Sequence, residues 1–234
     1  MSAIPLDSDA GLRAKDRFGP HPCAMQGDAR RDAQFELPSG ATFNADGSVT
    51  LRLSQPIEGR LGVSIGELVF RRLSGAVRRE VERERSLLDA GLTKMLGPVA
   101  ARAFRAHGCE ADAVAAFNVV GMLLGKSKHI PERVKATPAG GYELPLLHPV
   151  ADGGSVHRAL HFRPISRQAL ALLSQRSKDK WLTAVMQQSS GLSARSVRNL
   201  ADRMDAVDYA ATQAIMEAIA ANAVRGRAAP EKGA

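Results

Sequence analysis

The spacing of apolar and polar residues divides the chain into segments of different character. Residues 1–47 are rich in Pro, Gly, Asp and Arg without a sustained hydrophobic period, which predicts a flexible N-terminal arm. Residues 225–234 predict a disordered tail for the same reason. Regular patterns cover residues 48–124 and 142–224. Between them, residues 125–141 hold two prolines and three glycines, which predicts a linker between two structured units.

The first structured unit opens with the pattern of a β-hairpin. Apolar and polar residues alternate over residues 49–54, as in a strand with one buried face. We expect this strand to end at Pro56, because proline lacks the N–H group that a central strand donates. Its partner strand is expected over residues 65–73. A charged helix should follow and end at Gly91, and Pro98 should begin another helix.

The second unit repeats the hairpin and adds helices with recognisable end signals. Residues 144–149 lead into a turn at residues 152–154, and a return strand runs to Phe162. Helical stretches follow to about residue 219, and one of them places Trp181 among apolar residues at helical spacing. The expected end signals are the N-caps Ser166, Ser193 and Asp205 and the terminating glycine Gly191.

The openings of the two units match each other in sequence. LSQPIEGRLGVSIGELVFRRLS (residues 53–74) aligns with LLHPVADGGSVHRALHFRPIS (residues 146–166) through a proline, a glycine-containing turn, a Leu-x-Phe-Arg sequence and a closing serine. The helical parts do not align in sequence. We therefore predict an α+β fold, predominantly helical, built from small antiparallel β-hairpin units that are each followed by a helical bundle, with the unit duplicated.

Composition and charge restrict the class of function only weakly. With 234 residues, 44% of them hydrophobic, the chain can bury a real core. The net charge of +8 favours an anionic partner such as nucleic acid, although an Arg-rich composition also follows from a GC-rich genome. Cys23 and Cys109 match no metal spacing and predict a reducing compartment. A signal peptide and a membrane-spanning run of about 18–20 apolar residues are both missing, so we expect a soluble cytoplasmic protein without a membrane partner.

One glycine-rich sequence resembles a phosphate-binding loop. Residues 121–127 read Gly-Met-Leu-Leu-Gly-Lys-Ser. A phosphate-binding loop needs four residues between its glycines, so that successive N–H groups surround the phosphates, and only three stand here. Pro131 follows too soon for a nucleotide-binding helix. We therefore expect a helix end followed by the linker, and no cofactor.

Two clusters of titratable residues are candidates for a metal or acid–base site. The histidines have no cysteine or paired acid at ligand spacing, so exposed strand histidines are expected and no metal is assigned. The acids recur at a helix start, where capping and the helix dipole favour them. No nucleophile elbow, HExxH or Cys-His signature is present, so the sequence predicts no catalytic residue and no enzyme. The histidines are His148, His157 and His161, and the acids are Asp202, Asp205, Asp208 and Glu217.

Arginines indicate two further features. Those within residues 71–85 alternate with Glu80, Glu82 and Glu84, which predicts a solvated helix face. Residues 182–204 have the pattern of a helix-turn-helix with the turn at Gly191 and a recognition helix over residues 193–203. An ordinary helical hairpin has the same pattern. The side chains placed for DNA groove contact would be Ser193, Arg195, Ser196, Arg198 and Asn199.

Four short sequences in the second unit share the order and spacing of a known family. They are LLHPV (146–150), ALHFRPIS (159–166), SSGLS (189–193) and DAVDY (205–209). With these sequences, residues 142–219 resemble the phage tail assembly protein family, the tail assembly chaperones of contractile-tailed and Mu-like phages and prophages. The first unit echoes the opening of the same pattern.

The resemblance implies a non-catalytic chaperone in the host cytoplasm. Such a protein binds the tape measure protein and other tail proteins, helps the tail tube to assemble, and needs no cofactor. Two alternatives stay open, a basic helix-turn-helix DNA-binding protein that uses residues 193–203 and a structural tail or baseplate component. Self-association also stays open, and the sequence assigns no partner-contact residue.

Overall fold

The computed structural model describes residues 37–58, 64–126, 132–175 and 178–225. In this part of the chain it has eight helices and two antiparallel sheets of three strands each, so the predicted α+β class is confirmed. Several sequence predictions concern residues outside the described ones, namely the arm up to residue 36, the tail from residue 226, Cys23, Ser127 and Pro131.

The first half of the described chain forms the N-terminal unit. Its sheet contains β1 (Ala41–Phe43), β2 (Val49–Glu58) and β3 (Ser64–Phe70) in that order. Its helices are α1 (Gly75–Arg83), α2 (Leu87–Leu96), α3 (Pro98–His107) and α4 (Glu110–Leu123). Pro98 begins α3, as the sequence predicts.

The second half forms the C-terminal unit with the same order of elements. Its sheet contains β4 (Lys135–Ala136), β5 (Tyr142–Asp152) and β6 (Ser155–Phe162). Its helices are α5 (Arg167–Leu173), α6 (Lys178–Ser190), α7 (Ala194–Arg203) and α8 (Ala206–Arg225). The predicted N-caps Ser166 and Ser193 accept hydrogen bonds from the first turns of α5 and α7.

The two long strands share an irregularity at the same place. The pairing of β2 with β3 shifts register between Arg52 and Ile57, and that of β5 with β6 shifts between Pro145 and Val150. A proline lies in each bulge, where its missing N–H interrupts no ladder bond. The expectation that β2 ends at Pro56 is therefore wrong, because the strand resumes beyond the bulge and ends at Glu58.

Each sheet also has a short first strand that the sequence pattern did not predict. β1 lies within the predicted arm, residues 1–47, yet it pairs with β2. β4 lies within the predicted linker, residues 125–141, yet it pairs with β5. The loops to the long strands contain Gly47 and Gly140 at positive φ angles of 78° and 82°. These two strands are too short to show an alternating pattern in the sequence. Because they pair with the long strands, the units begin earlier than residues 48 and 142, where the sequence pattern places their starts.

The charged helix predicted to end at Gly91 consists of two helices. α1 ends with Glu84 as its C-cap, and the Ser86 side chain caps α2. Gly91 is therefore inside α2, and its predicted role as a C-cap is wrong. A Cβ atom at this position would lie 2.7 Å from Cγ1 of Val120 on α4. The glycine thus lets α2 and α4 approach closely.

The helices of the two units correspond, although their sequences do not align. A backbone bond joins the strand end to the second helix in both units, from Arg71 N to Met95 O (3.2 Å) and from Arg163 N to Ser189 O (2.8 Å). Both second helices are followed by a glycine at positive φ, and the prediction that Gly191 ends its helix is confirmed. On this basis α2 corresponds to α6.

A buried aspartate fixes the last helix of each unit in the same way. Asp112 in the first turn of α4 accepts a hydrogen bond from Ser54 N (2.9 Å). Asp208 in the first turn of α8 accepts one from Leu147 N (2.9 Å). Both donors lie in the strand bulges, where the ladder leaves N–H groups without a strand partner. The internal repeat therefore extends over whole units, hairpin and helices together.

The α1 helix joins the units by packing on α7 and α8. Backbone bonds connect Gly75 N to Met204 O and Ala206 N to Leu73 O, both 2.9 Å long. Gly75 is required here, because a Cβ atom would overlap the carbonyl oxygen of Ala201.

Three arginines complete this junction. Arg72 Nη2 lies 2.5 Å from Asp205 Oδ2, and the buried Arg78 donates to the carbonyl oxygens of Leu124 and Ala206. Arg79 pairs with the carboxylate of Asp202. The predicted solvated face is therefore wrong for Arg72, Arg78 and Arg79, because they bind carbonyl and carboxylate groups at the contact with the C-terminal unit.

Candidate functional site

A cleft of about 540 Å³ lies where α1 meets α6, α7 and α8. One wall comes from the N-terminal unit and the rest from the C-terminal unit. The cleft exists only because the junction holds α1 beside α8, since the two elements belong to different units. It is the candidate functional site of the described residues.

The cleft has α8 as its floor and α6 as one wall. The α6 wall and the Tyr209 end of the floor are apolar. Trp181, Leu182 and Met186 of α6 and Tyr209 of α8 line the cleft. Trp181 is the single tryptophan of the chain, and it is half-buried although a tryptophan in a closed core would be covered on both faces. Burial raises the pKa of Tyr209, and the Arg79 guanidinium lies 5.2 Å from the centre of its ring. Trp181 and Leu182, which are half-buried, offer contact area to an apolar group, whereas Met186 and Tyr209 are buried beneath them.

The rim of the cleft carries both signs of charge. Arg79 pairs with Asp202, and Glu82 pairs with Arg78 at 2.8 Å, so these charges are matched within the protein. Arg83 on α1 and Arg198 on α7 also line the cleft and are exposed. Neither forms an ion pair with a residue that the structure describes. Two cations are therefore open to a carboxylate from outside.

The equivalent space in the N-terminal unit is closed. Aligning the starts of α4 and α8, Asp112 with Asp208, places Phe117 at the position of Gln213. Phe117 is buried in the core of the N-terminal unit, whereas Gln213 is half-buried and lines the cleft. Aligning the glycine-terminated ends of α2 and α6 places Gly91 at the position of Val185. Gly91 lets α2 lie against Val120 of α4, whereas the side chain of Val185 is itself buried at the corresponding position.

A second, more open cleft of about 800 Å³ lies on the N-terminal unit. Six of its ten lining residues are charged. Lys94 pairs with Glu80 at 2.9 Å, and Arg105 pairs with Asp89 at 3.4 Å. Four of its six charged side chains are therefore matched within the protein.

α6 and α7 are consecutive helices with a short connection, an arrangement that a helix-turn-helix and an ordinary helical hairpin share. α6 and α7 are joined by residues 191–193, with Gly191 at a φ of 72°. The side chains proposed for groove contact are partly engaged elsewhere. Ser193 caps α7, and Asn199 donates to Asp152 Oδ1 at 2.8 Å. Arg195 and Arg198 are exposed on α7.

The candidate acids at the start of α8 have structural roles. Asp205 accepts a bond from Val207 N (2.8 Å) and therefore caps α8, as the sequence predicts. Asp208 is fully buried, and its Oδ1 lies 2.5 Å from Nη1 of Arg133. Burial raises the pKa of Asp208, and Arg133 opposes that shift. Together with the pairing of Asp202, this leaves only Glu217 directed to the cleft without an ion-pair partner among the described residues.

The candidate histidines are spread along the C-terminal hairpin, His148 on β5 and His157 and His161 on β6. His161 Nδ1 is 4.0 Å from Glu143 Oε2 across the strand pair, and His157 pairs with Val150 near the turn. Among the described residues, no three His, Cys, Asp or Glu side chains are grouped to hold a metal ion.

The described part of the glycine-rich sequence, residues 121–126, is the end of a helix. Gly121 lies within α4, and Gly125 follows the helix at a φ of 59°. The backbone N–H of Lys126 bonds to the Gly121 carbonyl (3.2 Å), so in the described part of this segment the backbone closes on itself. This agrees with the expected helix end.

None of the described helices combines the length and apolar character that crossing a membrane requires. Comparison of the chain with models of known protein families, with curated proteins and with solved structures finds no match.

Sequence reasoning missed the cleft, although one signal was present. Tyr209, Gln213 and Glu217 recur every four residues and form a partly polar stripe on α8, which is otherwise largely buried. A polar stripe on a largely buried helix indicates an opening in the protein. Its partner wall, α1, could not be identified from sequence, because it belongs to the other unit.

Proposed function

We propose that this protein is a tail assembly chaperone of a phage or prophage, which binds the tape measure protein and assists tail tube assembly in the host cytoplasm without catalysis. The observation that carries the proposal is the cleft beside Trp181. It combines an apolar wall with a charged rim, the surface that suits an amphipathic helix.

The sequences that resemble the family also frame this cleft. DAVDY (205–209) begins α8, which forms the floor, and SSGLS (189–193) joins α6 to α7. LLHPV (146–150) contains the bulge to which Asp208 binds, and so it fixes the start of α8. The resemblance and the cleft thus concern the same part of the molecule.

Co-expression with the tape measure protein of the same phage or prophage tests the proposal. We expect the full chain to keep the tape measure protein soluble and to co-purify with it. Replacing Trp181→Ala should reduce the soluble fraction severalfold, because the α6 wall loses its largest apolar side chain. Gln188→Ala, on α6 but outside the cleft, is the matched control. A tape measure protein that stays insoluble with the wild-type chain contradicts the proposal.

A second candidate is DNA binding through α7, and one observation favours it. α6 and α7 are joined by only three residues, as in a helix-turn-helix, and Arg195 and Arg198 are exposed on the second helix. Titration of duplex DNA at increasing salt distinguishes the candidates, because phosphate contacts give steeply salt-dependent binding. Tight binding at physiological salt that Arg195→Ala and Arg198→Ala weaken supports this candidate, and an unchanged affinity in both variants rejects it.

A further inference from the structure

We infer that the cleft accepts a helical segment of a partner protein that carries an aromatic side chain and, about one turn away, a carboxylate. The aromatic ring would lie on Gln213, and the carboxylate would meet Arg83 or Arg198. This inference rests on the proposed function, since it names the kind of segment that the same cleft would hold.

The internal repeat supplies the first argument. In the N-terminal unit, the Phe117 ring fills the space between the helices and is buried in one core with Leu92 and Phe104. In the C-terminal unit, the half-buried Gln213 stands at the position of Phe117; its Oε1 accepts a hydrogen bond from Arg78 Nη2 (3.2 Å), and the residue borders the open cleft. The fold therefore has a position that an aromatic ring is able to close, and only one of the two units supplies the ring itself. A partner that provides the ring completes the second unit in the way that Phe117 completes the first.

The dimensions of the floor supply the second argument. Tyr209, Gln213 and Glu217 lie on one face of α8 at intervals of four residues. At 1.5 Å per residue, the floor extends about 12 Å along the helix axis. A segment of two to three helical turns matches this length and brings side chains at i and i+4 into the cleft together.

The charges supply the third argument, and they separate a protein partner from a nucleic acid. Arg83 and Arg198 have no ion-pair partner among the described residues, and they favour a negative group. Glu217 lines the same cleft with no ion-pair partner in the described part of the chain. A phosphate backbone would bring several negative charges past this carboxylate, whereas a single Asp or Glu on a helix avoids it.

A peptide display library tests the inference and does not require the partner itself. The probes are peptides of about 18 residues, alanine-based and helical, with eight consecutive positions randomised, selected on the immobilised full chain. We expect the selected peptides to share Phe, Tyr or Trp with Asp or Glu three or four positions away. Binding of the selected peptides that carry Phe or Tyr should shift the fluorescence of Trp181, the only tryptophan of the chain. Selected peptides without this pair overturn the inference.

Two variants test the position of the ring. Gln213→Phe places the residue of the N-terminal unit in the cleft, and it should weaken the selected peptides at least about tenfold by occupying their site. Gln188→Phe makes the same change on α6, outside the cleft, and should leave the affinity unchanged. Equal affinities for both variants overturn the inference.

Exchange of charges tests the carboxylate contact independently of folding. Arg198→Glu and Arg83→Glu should each be made, and the variant that contacts the peptide should lose about tenfold in affinity. A peptide in which the acid is replaced by Lys should recover that loss on the same variant, a result that a misfolded protein cannot give. Absence of recovery on both variants overturns the inference, and so does displacement of the peptide by a single-stranded oligonucleotide at physiological salt.

The failure of this inference is distinguishable from the failure of the proposed function. If the tape measure protein is kept soluble but no aromatic and acidic pair is selected, the function stands and the inference is wrong. If the pair is selected and the tape measure protein stays insoluble, the inference stands and the function is wrong.

Discussion

The N-terminal and C-terminal units have the same fold but different interiors. Both have a three-stranded sheet with a bulged long strand, and both fix their last helix by an aspartate that binds the bulge. The buried Phe117 ring closes the first unit, whereas Gln213 borders an open cleft beside Trp181 in the second. The comparison teaches that the sheet and caps specify the fold, and that a few helix positions decide whether it encloses a core or offers a cleft.

The largest expected effect on the free energy of unfolding comes from replacing Phe117 of the N-terminal unit by Gln, the residue at the corresponding position 213 of the C-terminal unit. Phe117→Gln removes a buried ring and buries an amide, and should lower the free energy of unfolding by about 3–5 kcal/mol. The reciprocal Gln213→Phe should cost less, about 1–2 kcal/mol, because the cleft has room for the ring and the loss is the hydrogen bond that Arg78 Nη2 donates to Gln213 Oε1 (3.2 Å). Urea unfolding followed by circular dichroism measures both. Equal losses would show that the two positions are not equivalent.

The two buried aspartates, Asp208 and Asp112, should contribute unequally to the free energy of unfolding. Asp208→Ala leaves Leu147 N without its acceptor and Arg133 without its counter-ion, and should cost about 3 kcal/mol. Asp112→Ala leaves only Ser54 N without its acceptor, and should cost about 1–2 kcal/mol. The same unfolding experiment compares them. A larger loss for Asp112→Ala contradicts the role assigned to Arg133.

The junction between the units should depend on a glycine. Gly75→Ala forces a Cβ atom against the Ala201 carbonyl and should cost about 2 kcal/mol. It should also shift Trp181 emission, because α1 forms one wall of the cleft. Gly66→Ala in β3 is the control, since a Cβ atom there meets nothing within 4 Å. If Gly75→Ala and Gly66→Ala are equally stable, the contact between α1 and Ala201 can shift without lowering the free energy of unfolding, and the prediction is wrong.

The smallest effect concerns pH. Burial raises the pKa of Asp208, Asp205 adds to the shift, and Arg133 opposes it. A raised pKa means that the folded state binds the proton more tightly, so this contribution to stability is lost as pH rises through the folded pKa and is complete below the unfolded value of about 3.9. Between pH 7 and 4, wild type should therefore gain stability relative to Asp208→Asn as the pH falls. A difference in the free energy of unfolding between wild type and Asp208→Asn that stays constant with pH would contradict the raised pKa of Asp208.

The sequence predicts those parts of the fold that depend on local signals. Alternation over residues 49–54, the proline at position 98, and the caps Ser166, Ser193 and Asp205 each act within a few residues. A local signal misleads where a residue serves a distant contact. Gly91 has the identity of a helix end, yet its lack of a side chain makes room for Val120 on α4.

The candidate site was beyond sequence reasoning for a related reason. A cleft depends on the relative positions of elements that are distant in sequence. Trp181 on α6 has the helical spacing of an ordinary core residue, so the sequence does not mark it as lining a cleft. Arg79 and Arg83 belong to a charge run that resembles a solvated face, yet they border the cleft because Arg78 and Gly75 dock α1 on the other unit. The correspondence between the helices of the two units could not be read from the sequence either, because the backbone hydrogen bonds that show it do not depend on side-chain identity.

The docking of α1 also shows how a unit of this kind meets the unit that follows it. The N-terminal unit contributes its first helix and the C-terminal unit its last two, so the contact is head to tail. The first residue of α1 is Gly75, whereas the first residue of α5 is Arg167. A side chain at the Gly75 position would meet the Ala201 carbonyl, so α5 is not built to make the contact that α1 makes.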